Sequence, residues 1–504
     1  MPLFNTVISW LMKRRIHQIE LFMRYPHEVQ MECFKSLINQ AENTEWGKNY
    51  NFSSIKTPID FKNRVPLSHY EDLKPYIERM RLGEQNILWP TDIRWFAKSS
   101  GTTSDKSKFI PVSREALDEC HFKGGKDLLS IYCNNHPNTR LFTGKVLGMS
   151  GTHNMHDADA TSFHGDVSAI LLQHLPCWIN FVRTPNRSIA LMDEWESKIE
   201  LMAQITINED VTNITGVPSW TLILLKRILA ATGKHSIAEV WPNLELFVHG
   251  GVNFDPYREQ FRKITTPALN YLEAYNASEG FFGLQYLSDS SDLLLMLDYG
   301  IYYEFIPPNE LDNENPNTLQ LHQVEVEVPY ALVISTNAGL WRYQIGDTIK
   351  FTSVSPYSIR ITGRTKSFIN AVGEELMIEN AEKAIAYACE KTKALVNEYT
   401  AAPMYFSDNS NAAHEWLIEF TIPPTDFAYF TEMLDTALKA NNSDYEAKRH
   451  HNLVLRSPVI RTLPPKTFYN WMKIKGKLGG QHKVPRLSND RKHVEEILTL
   501  IKSR

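Results

Sequence analysis

The chain is poor in cysteine. Its 504 residues include only Cys33, Cys120, Cys133, Cys177 and Cys389, and none forms a CxxC pair. An odd number without paired spacing argues against a disulfide framework and a thiolate zinc site, and for a reducing, cytoplasmic compartment. No apolar run reaches the roughly 18 residues that a membrane helix needs. Positive charge is not in excess: 53 Lys and Arg stand against 58 Asp and Glu, a net charge of −5. Such a chain has no overall field to draw nucleic acid. Internal repeats and low-complexity tracts are missing, as are the phosphate-loop pattern GxxxxGK[ST], the GxSxG elbow and the HExxH zinc motif.

What is present is ordinary globular material. Hydrophobic residues make up 43% and charged residues 22%, which suits a chain that buries a large core. The length fits about three domains, or one large domain with a smaller one appended. Leu3, Phe4, Val7, Ile8, Trp10, Leu11 and Met12 follow helical spacing ahead of Lys13, Arg14 and Arg15. A secretory signal carries its charge before the apolar stretch, so this order predicts a helix packed on the body. Contact with a membrane interface is the alternative. From Lys466 to Arg504 there are ten Lys or Arg and three acidic residues. That run is a solvated basic face, or a set of cations brought to an anionic substrate.

The patterning predicts an α/β protein. Helices are expected over Asp193–Ile207 and Thr221–Thr232, and strands over Leu293–Phe305 and Gln320–Ser335, with a polar surface excursion at Pro307–Thr318 between them. Near Gly363 the pattern changes to a compact alternation. It has helices at Met377–Lys391 and Asp426–Ala440 and strands at Trp416–Ile422 and Leu453–Thr462. Residues 1–362 and 363–504 are therefore expected as a large domain and a small α+β domain.

Five stretches carry chemistry. In Ser99–Lys108 (SSGTTSDKSK), five of the first six residues bear hydroxyls around one glycine, and two lysines follow. Such a loop can offer N–H groups, hydroxyls and ammonium groups to a polyphosphate, although Ser/Thr-rich turns are common. Glu273–Gly280 (EAYNASEG) follows an apolar run and reads as a strand end, where α/β folds bind ligands. An aromatic face there can stack on a base, a hydroxyl can reach a phosphate, and a carboxylate can hold Mg²⁺. Core packing for Tyr275 and a surface charge for Glu279 are the plain alternatives. In Gly339–Asp347 (GLWRYQIGD) the aspartate is a turn residue or a ribose acceptor. Gly363–Lys366 (GRTK), leading to Val372–Glu375, is a turn before an acidic helix start, at the expected domain boundary. Gly479–Arg486 (GGQHKVPR) is a basic loop whose two glycines and proline allow a lysine to be presented.

Taken in this order, the motifs resemble those of adenylate-forming enzymes of the firefly-luciferase-like superfamily. More closely, the chain resembles the Gretchen Hagen (auxin-responsive promoter) family of acyl acid amido synthetases. The resemblance spans about Pro66 to Arg486 and is most specific in STNAGLWRYQIGD and in WPNLELFVHGG, Trp241–Gly251. It implies a large ATP- and acyl-acid-binding domain and a small mobile C-terminal domain. It implies that Ser99, Ser100, Gly101, Thr102, Thr103 and one of Lys106 and Lys108 wrap the ATP phosphates. Tyr275 would lie along adenine, Ser278 near the α-phosphate, and Asp347 and Arg364 on the ribose. Glu279 would hold Mg²⁺, Lys366 would sit at the hinge, and Lys483 would meet the α-phosphate during adenylation. The superfamily often has glycine after the two threonines and a loop one residue shorter; Ser104 stands there instead.

The implied reaction is ATP-dependent ligation of a carboxylic acid to an amine, expected to be an amino acid. A carboxylate is a poor acyl donor because its leaving group would be oxide, and adenylation supplies a stable phosphate leaving group. Both reactants are anionic, so positioning and charge neutralisation do most of the catalysis. Pro218, Trp220 and Phe247, with the segment near Leu171–Phe181, are candidates for an apolar acyl pocket, with core packing the alternative for each. His153, His156, Asp157, Asp159 and His164 have metal-binding residue types at a spacing that matches no strong metal motif. Transfer to a thiol such as coenzyme A, and a nucleotide-binding regulator without turnover, are the rival readings.

Overall fold

The structure is a computed structural model. It describes residues 10, 12, 14–99, 108–151, 153–154, 162–176, 179–251, 254–288, 290–311, 313, 315–364, 368–369, 371, 374, 376–405, 412–449, 455–478 and 483–502. Most of the expected N-terminal helix (residues 1–9, 11 and 13) lies outside them. The chain divides into two compact units. One comprises Met1–Val252, Lys263–Ile345 and Ile349–Arg360, the other Asn253–Arg262, Gly346–Thr348 and Ile361–Arg504. A single cut between 362 and 363 misses this assignment of 253–262 and 346–348. The reason is long-range. Tyr257 and Phe261 are buried, the Gln260 amide donates to the Val396 carbonyl at 3.1 Å, and Arg486 donates to the Tyr257 hydroxyl at 2.9 Å.

The strands, in chain order, are β1 (Trp95–Ser99), β2 (Lys108–Val112), β3 (Lys145–Gly148), β4 (His153–Asn154), β5 (Phe163–Gly165), β6 (Arg183–Thr184), β7 (Val211–Gly216), β8 (Leu246–Gly250), β9 (Asn270–Ala277), β10 (Gly280–Gln285), β11 (Leu293–Leu295), β12 (Ile301–Ile306), β13 (Pro329–Thr336), β14 (Tyr343–Val354) and β15 (Tyr357–Arg364). They form a four-stranded sheet, β2-β1-β5-β4, and an eleven-stranded sheet, β12-β13-β14-β15-β11-β10-β9-β8-β7-β3-β6. The run β6-β3-β7-β8-β9 is parallel. Parallel strands need crossovers, and helices supply them. One is Trp195–Thr206, close to the expected span. Another is Pro218–Thr232, which starts with proline at its first turn and ends at Gly233 with φ +68°. The core gathers around Trp89, Trp341, Phe52 and Phe61, with Trp341 edge-on to Phe52 at 4.9 Å.

The second unit has a hairpin, β16 (Phe368–Ile369) with β17 (Leu376–Met377), and a sheet of β18 (Leu395–Tyr405), β19 (Ala412–Ile422) and β20 (Val459–Leu463). Helices Ile378–Thr392 and Phe427–Asn441 bury Ile385, Ala388, Phe430 and Leu434 in one core with Trp416 and Tyr399. The strand expected at Leu453–Thr462 begins only at Val459. Pro458 precedes it and has no N–H to give the ladder. Gln320–Ser335 is likewise shorter in strand than expected: Leu321–Gln323 is a 3₁₀ turn, and β13 follows from Pro329. Leu293–Phe305 resolves into β11 and β12. Among the described residues no helix is long and apolar enough to cross a membrane.

Candidate functional site

The hydroxyl-rich loop joins β1 to β2. These strands pair antiparallel, with Ser99 opposite Lys108 as the last pair. Ser100, Gly101, Thr102, Thr103 and Lys106 lie outside the described residues. Lys108 is described: its ammonium donates to the Tyr343 hydroxyl at 3.5 Å and lies 5.8 Å from the centre of the Tyr70 ring. The base of the phosphate-type loop thus meets the first tyrosine of YQIGD. On β14, Tyr343, Ile345 and Asp347 alternate inward, so the aspartate shares the tyrosine's face and is 7% exposed. Gly346, with φ +90°, precedes it.

The parallel strands end in small residues. β3 ends at Gly148, β7 at Gly216 and β8 at Gly250. A Cβ on Gly250 would lie 2.2 Å from the Ala274 carbonyl oxygen, so only glycine lets β8 run this close to β9. EAYNASEG, which the sequence reads as a strand end, covers the end of β9 and the turn after it. Glu273–Ala277 belong to β9, and Ser278–Glu279 are the two-residue turn into β10. Ser278 is 4% exposed, and its Oγ has no hydrogen-bond partner among the described residues. A buried hydroxyl without a partner marks a place where a ligand oxygen fits. Glu279 is half-buried beside it.

Other candidates are more deeply packed. Tyr275 is only 5% exposed, with its ring 4.9 Å from Phe282, so most of its face is core. Phe247 is fully buried between Tyr271 (6.3 Å) and His249 (5.5 Å). It packs in the core on β8. Pro218 is buried in the first turn of its helix. Trp220 is half-buried, edge-on to Trp195 at 4.6 Å. Arg364 ends β15, Lys366 lies outside the described residues, and Lys483 is exposed in the second unit.

Two features escape the sequence reading. His121 ends a π-helical turn, Ala116–His121, and is 4% exposed, with the Asn276 side chain of the YNASE strand near it. Burial pushes its pKa down from 6.5 to about 4. The unfolded chain then takes a proton that the folded chain refuses. Stability is full above about pH 6.5 and falls as pH drops toward 4. We expect His121→Asn to flatten that part of the melting-temperature profile; an unchanged slope would show that other groups carry it. The second feature is Arg342, inside WRYQIGD, which forms a buried ion pair with Glu304. A glutamate inside the apolar strand β12 and an arginine in the apolar stretch just before β14 are the signal that could have revealed it.

Among the described residues no three His, Cys, Asp or Glu come together as a metal cage. His156, Asp157 and Asp159 are outside them. One carboxylate beside an unpartnered hydroxyl is still a donor set that fits Mg²⁺, which is commonly bound by one or two carboxylates plus substrate phosphates.

Comparison with known proteins places this arrangement in a class. The fold is that of adenylate-forming ligases: a 2-hydroxyisobutyryl-CoA ligase in the post-adenylation state superposes with a TM-score of 0.59 at 11% identity, covering 94% of this chain and 92% of that one. An acyl acid amido synthetase, GH3.15, superposes with 0.78 at 16% identity over 97% and 96%. The GH3 family N-terminal domain matches residues 15–268, the central domain 294–364 and the C-terminal domain 379–492, and the chain belongs to the GH3 family. Its relatives include a jasmonoyl–L-amino acid synthetase, JAR4, of Nicotiana attenuata, 25% identical over 66% of this chain and 68% of that protein. An indole-3-acetic acid-amido synthetase, GH3.2, of Arabidopsis thaliana is 24% identical over 66% and 73%. These named relatives are amido synthetases, that is, ligases.

Proposed function

We propose that the protein joins a carboxylic acid to the amino group of an amino acid at the expense of ATP, through an acyl-adenylate. The observation that carries the reading is the β9–β10 turn. It offers the buried, unpartnered Ser278 hydroxyl beside the Glu279 carboxylate, at the ligand-binding edge of a parallel sheet. Named amido synthetases among the relatives support amide formation over thioester formation.

In the first step the acid's carboxylate oxygen forms a bond to the α-phosphorus of ATP. The bond from that phosphorus to the bridging oxygen breaks, and pyrophosphate leaves. Residues 99–108 cradle the β- and γ-phosphates, Ser278 donates to the α-phosphate, and Asp347 with Arg364 takes the ribose. Tyr275 lies along the adenine, and Glu279 would hold Mg²⁺. The ion, when bound, supplies Lewis-acid charge neutralisation to the phosphates. Lys483 adds a cation at the α-phosphate. In the second step the neutral amine attacks the acyl carbon, the acyl–phosphate bond breaks, AMP leaves, and the ammonium sheds a proton. Residues 363–504 serve as the mobile domain, with Lys366 at its hinge. Trp220 faces the acyl group.

The test is release of pyrophosphate and AMP from ATP and Mg²⁺ across a panel of aryl, indolyl and aliphatic acids with mixed amino acids. Acid-dependent AMP with amide product supports the proposal. Thioester product, or ATP binding without turnover on any acid, overturns it. Ser278→Ala should lower kcat/KM for adenylation about 10- to 100-fold, the worth of a hydrogen bond to a charged group. It should leave the melting temperature unchanged, because the hydroxyl has no protein partner to lose.

A further inference from the structure

We propose that the outer end of the parallel sheet, at β3 and β6, is a cationic pocket for a second acidic group at the far end of the acyl substrate. The preferred acids are then dicarboxylic. The assignment to the acyl substrate rests on the adenylation reading above.

Arg183 opens β6, beside Val146 of β3. Its guanidinium lies over the end of β3, where a Cβ on Gly148 would meet Nη2 at 2.7 Å and Nε at 2.8 Å. Nη2 makes only long contacts, 3.3 Å to the Gly148 carbonyl and 3.5 Å to Ser150 Oγ. Nη1 is buried and has no partner among the described residues. The same holds for Arg187 Nε and for the hydroxyls of Thr184 and Thr221, which are 2% and 0% exposed. Lys198, also 0% exposed, spends its ammonium on the Ser150 and Gly151 carbonyls at 2.6 and 3.4 Å.

The charges do not balance. Among the described residues Asp166 and Asp193 act on Lys198, whereas the charged groups that act on Arg183 are the cations Arg187 and Lys198. Among the described residues no carboxylate forms an ion pair with either arginine. A half-buried guanidinium with a buried N–H and no counter-charge is costly, and natural chains pair such groups or use them on ligands. The free donors on Arg183, Arg187 and Thr184 are the kind that a carboxylate accepts in forked geometry.

The position sets the ligand's length. The sheet order β9-β8-β7-β3 puts three strand steps between the Ser278 strand and Gly148, roughly 14 Å at about 4.8 Å each. An acid with one carboxylate at the α-phosphate and another at Arg183 spans about twelve carbons, since a zigzag chain with bonds of about 1.5 Å advances about 1.25 Å per bond.

The experiment measures binding without ATP, so it stands apart from the adenylation reading, which pyrophosphate release tests. The probes are sebacic and dodecanedioic acids and their monomethyl esters, followed by isothermal titration calorimetry and thermal melting. Wild type should bind a diacid about tenfold or more tightly than its monoester. Arg183→Met should erase that preference. It should also melt higher than wild type without ligand, because it removes an uncompensated half-buried charge. A merely structural arginine would melt lower when replaced. If Arg183→Met does not fold, Arg187→Gln serves, with the same loss of preference expected. No diacid preference in wild type, an unchanged preference in the variants, or equal protection by acetate alone overturns the proposal.

Discussion

Lys483→Ala should slow acid-dependent pyrophosphate release about 10²- to 10³-fold, the usual cost of losing one preorganised charge partner of a transition state. ATP affinity should change by about threefold or less, because the lysine acts where charge gathers during reaction. Pyrophosphate departure loads negative charge on the α-phosphate and the bridging oxygen as an anionic carboxylate approaches. A chain of net charge −5 must concentrate cations locally to make that possible, and the segment after Lys466 is where they are found. The two half-reactions separate the claim further. Amide formation from chemically supplied acyl-adenylate should stay near wild type in Lys483→Ala, since AMP is already bonded to the acyl group. Lys483→Arg should recover part of the first step. Equal loss of ATP affinity and rate, or equal damage to both half-reactions, would remove Lys483 from its assigned place.

Motifs that are contiguous in sequence were readable, because their chemistry does not depend on distant partners. The Ser278–Glu279 motif, found at the turn from β9 to β10, is of this kind. Burial was less readable. Tyr275 and Phe247 look like aromatic walls in the sequence, yet both lie on strands inside an eleven-stranded sheet. On such strands both faces are packed, so alternation does not tell a pocket face from a core face. Long-range placement was least readable. Arg183, Gly148 and Lys198 meet through parallel crossovers, which leave no local signature. The Asn253–Arg262 segment joins the second unit through Tyr257, Gln260 and Phe261, and nothing in its own sequence names Val396 or Arg486 as partners.

Arg342 carries the largest expected effect on stability. All five of its guanidinium N–H groups are used: on both oxygens of Glu304 (2.9 Å each at closest), on Thr318 Oγ1 (2.9 Å), and on the carbonyls of Val65 (2.7 Å) and Lys62 (3.1 Å). Arg342 is 3% and Glu304 4% exposed. The residue even holds φ +43°, a strained setting for a side chain, because its N–H is fixed on Ser335 Oγ and its carbonyl accepts from the Ser68 N–H. Arg342→Met leaves the Glu304 carboxylate buried with Thr318 alone, and breaking such a pair costs about 3–5 kcal/mol. Denaturant unfolding of the isolated variant should show that loss. Adding Glu304→Gln removes the stranded charge, so the double variant should be more stable than Arg342→Met alone, with clear non-additivity in the cycle. Additive losses would mean that the two side chains stabilise the strands independently and that the ion pair is incidental. The contrast with Arg183 is physical. Arg342 has a partner for every donor and is held for the fold, whereas Arg183 has a buried donor without one and is held for a ligand.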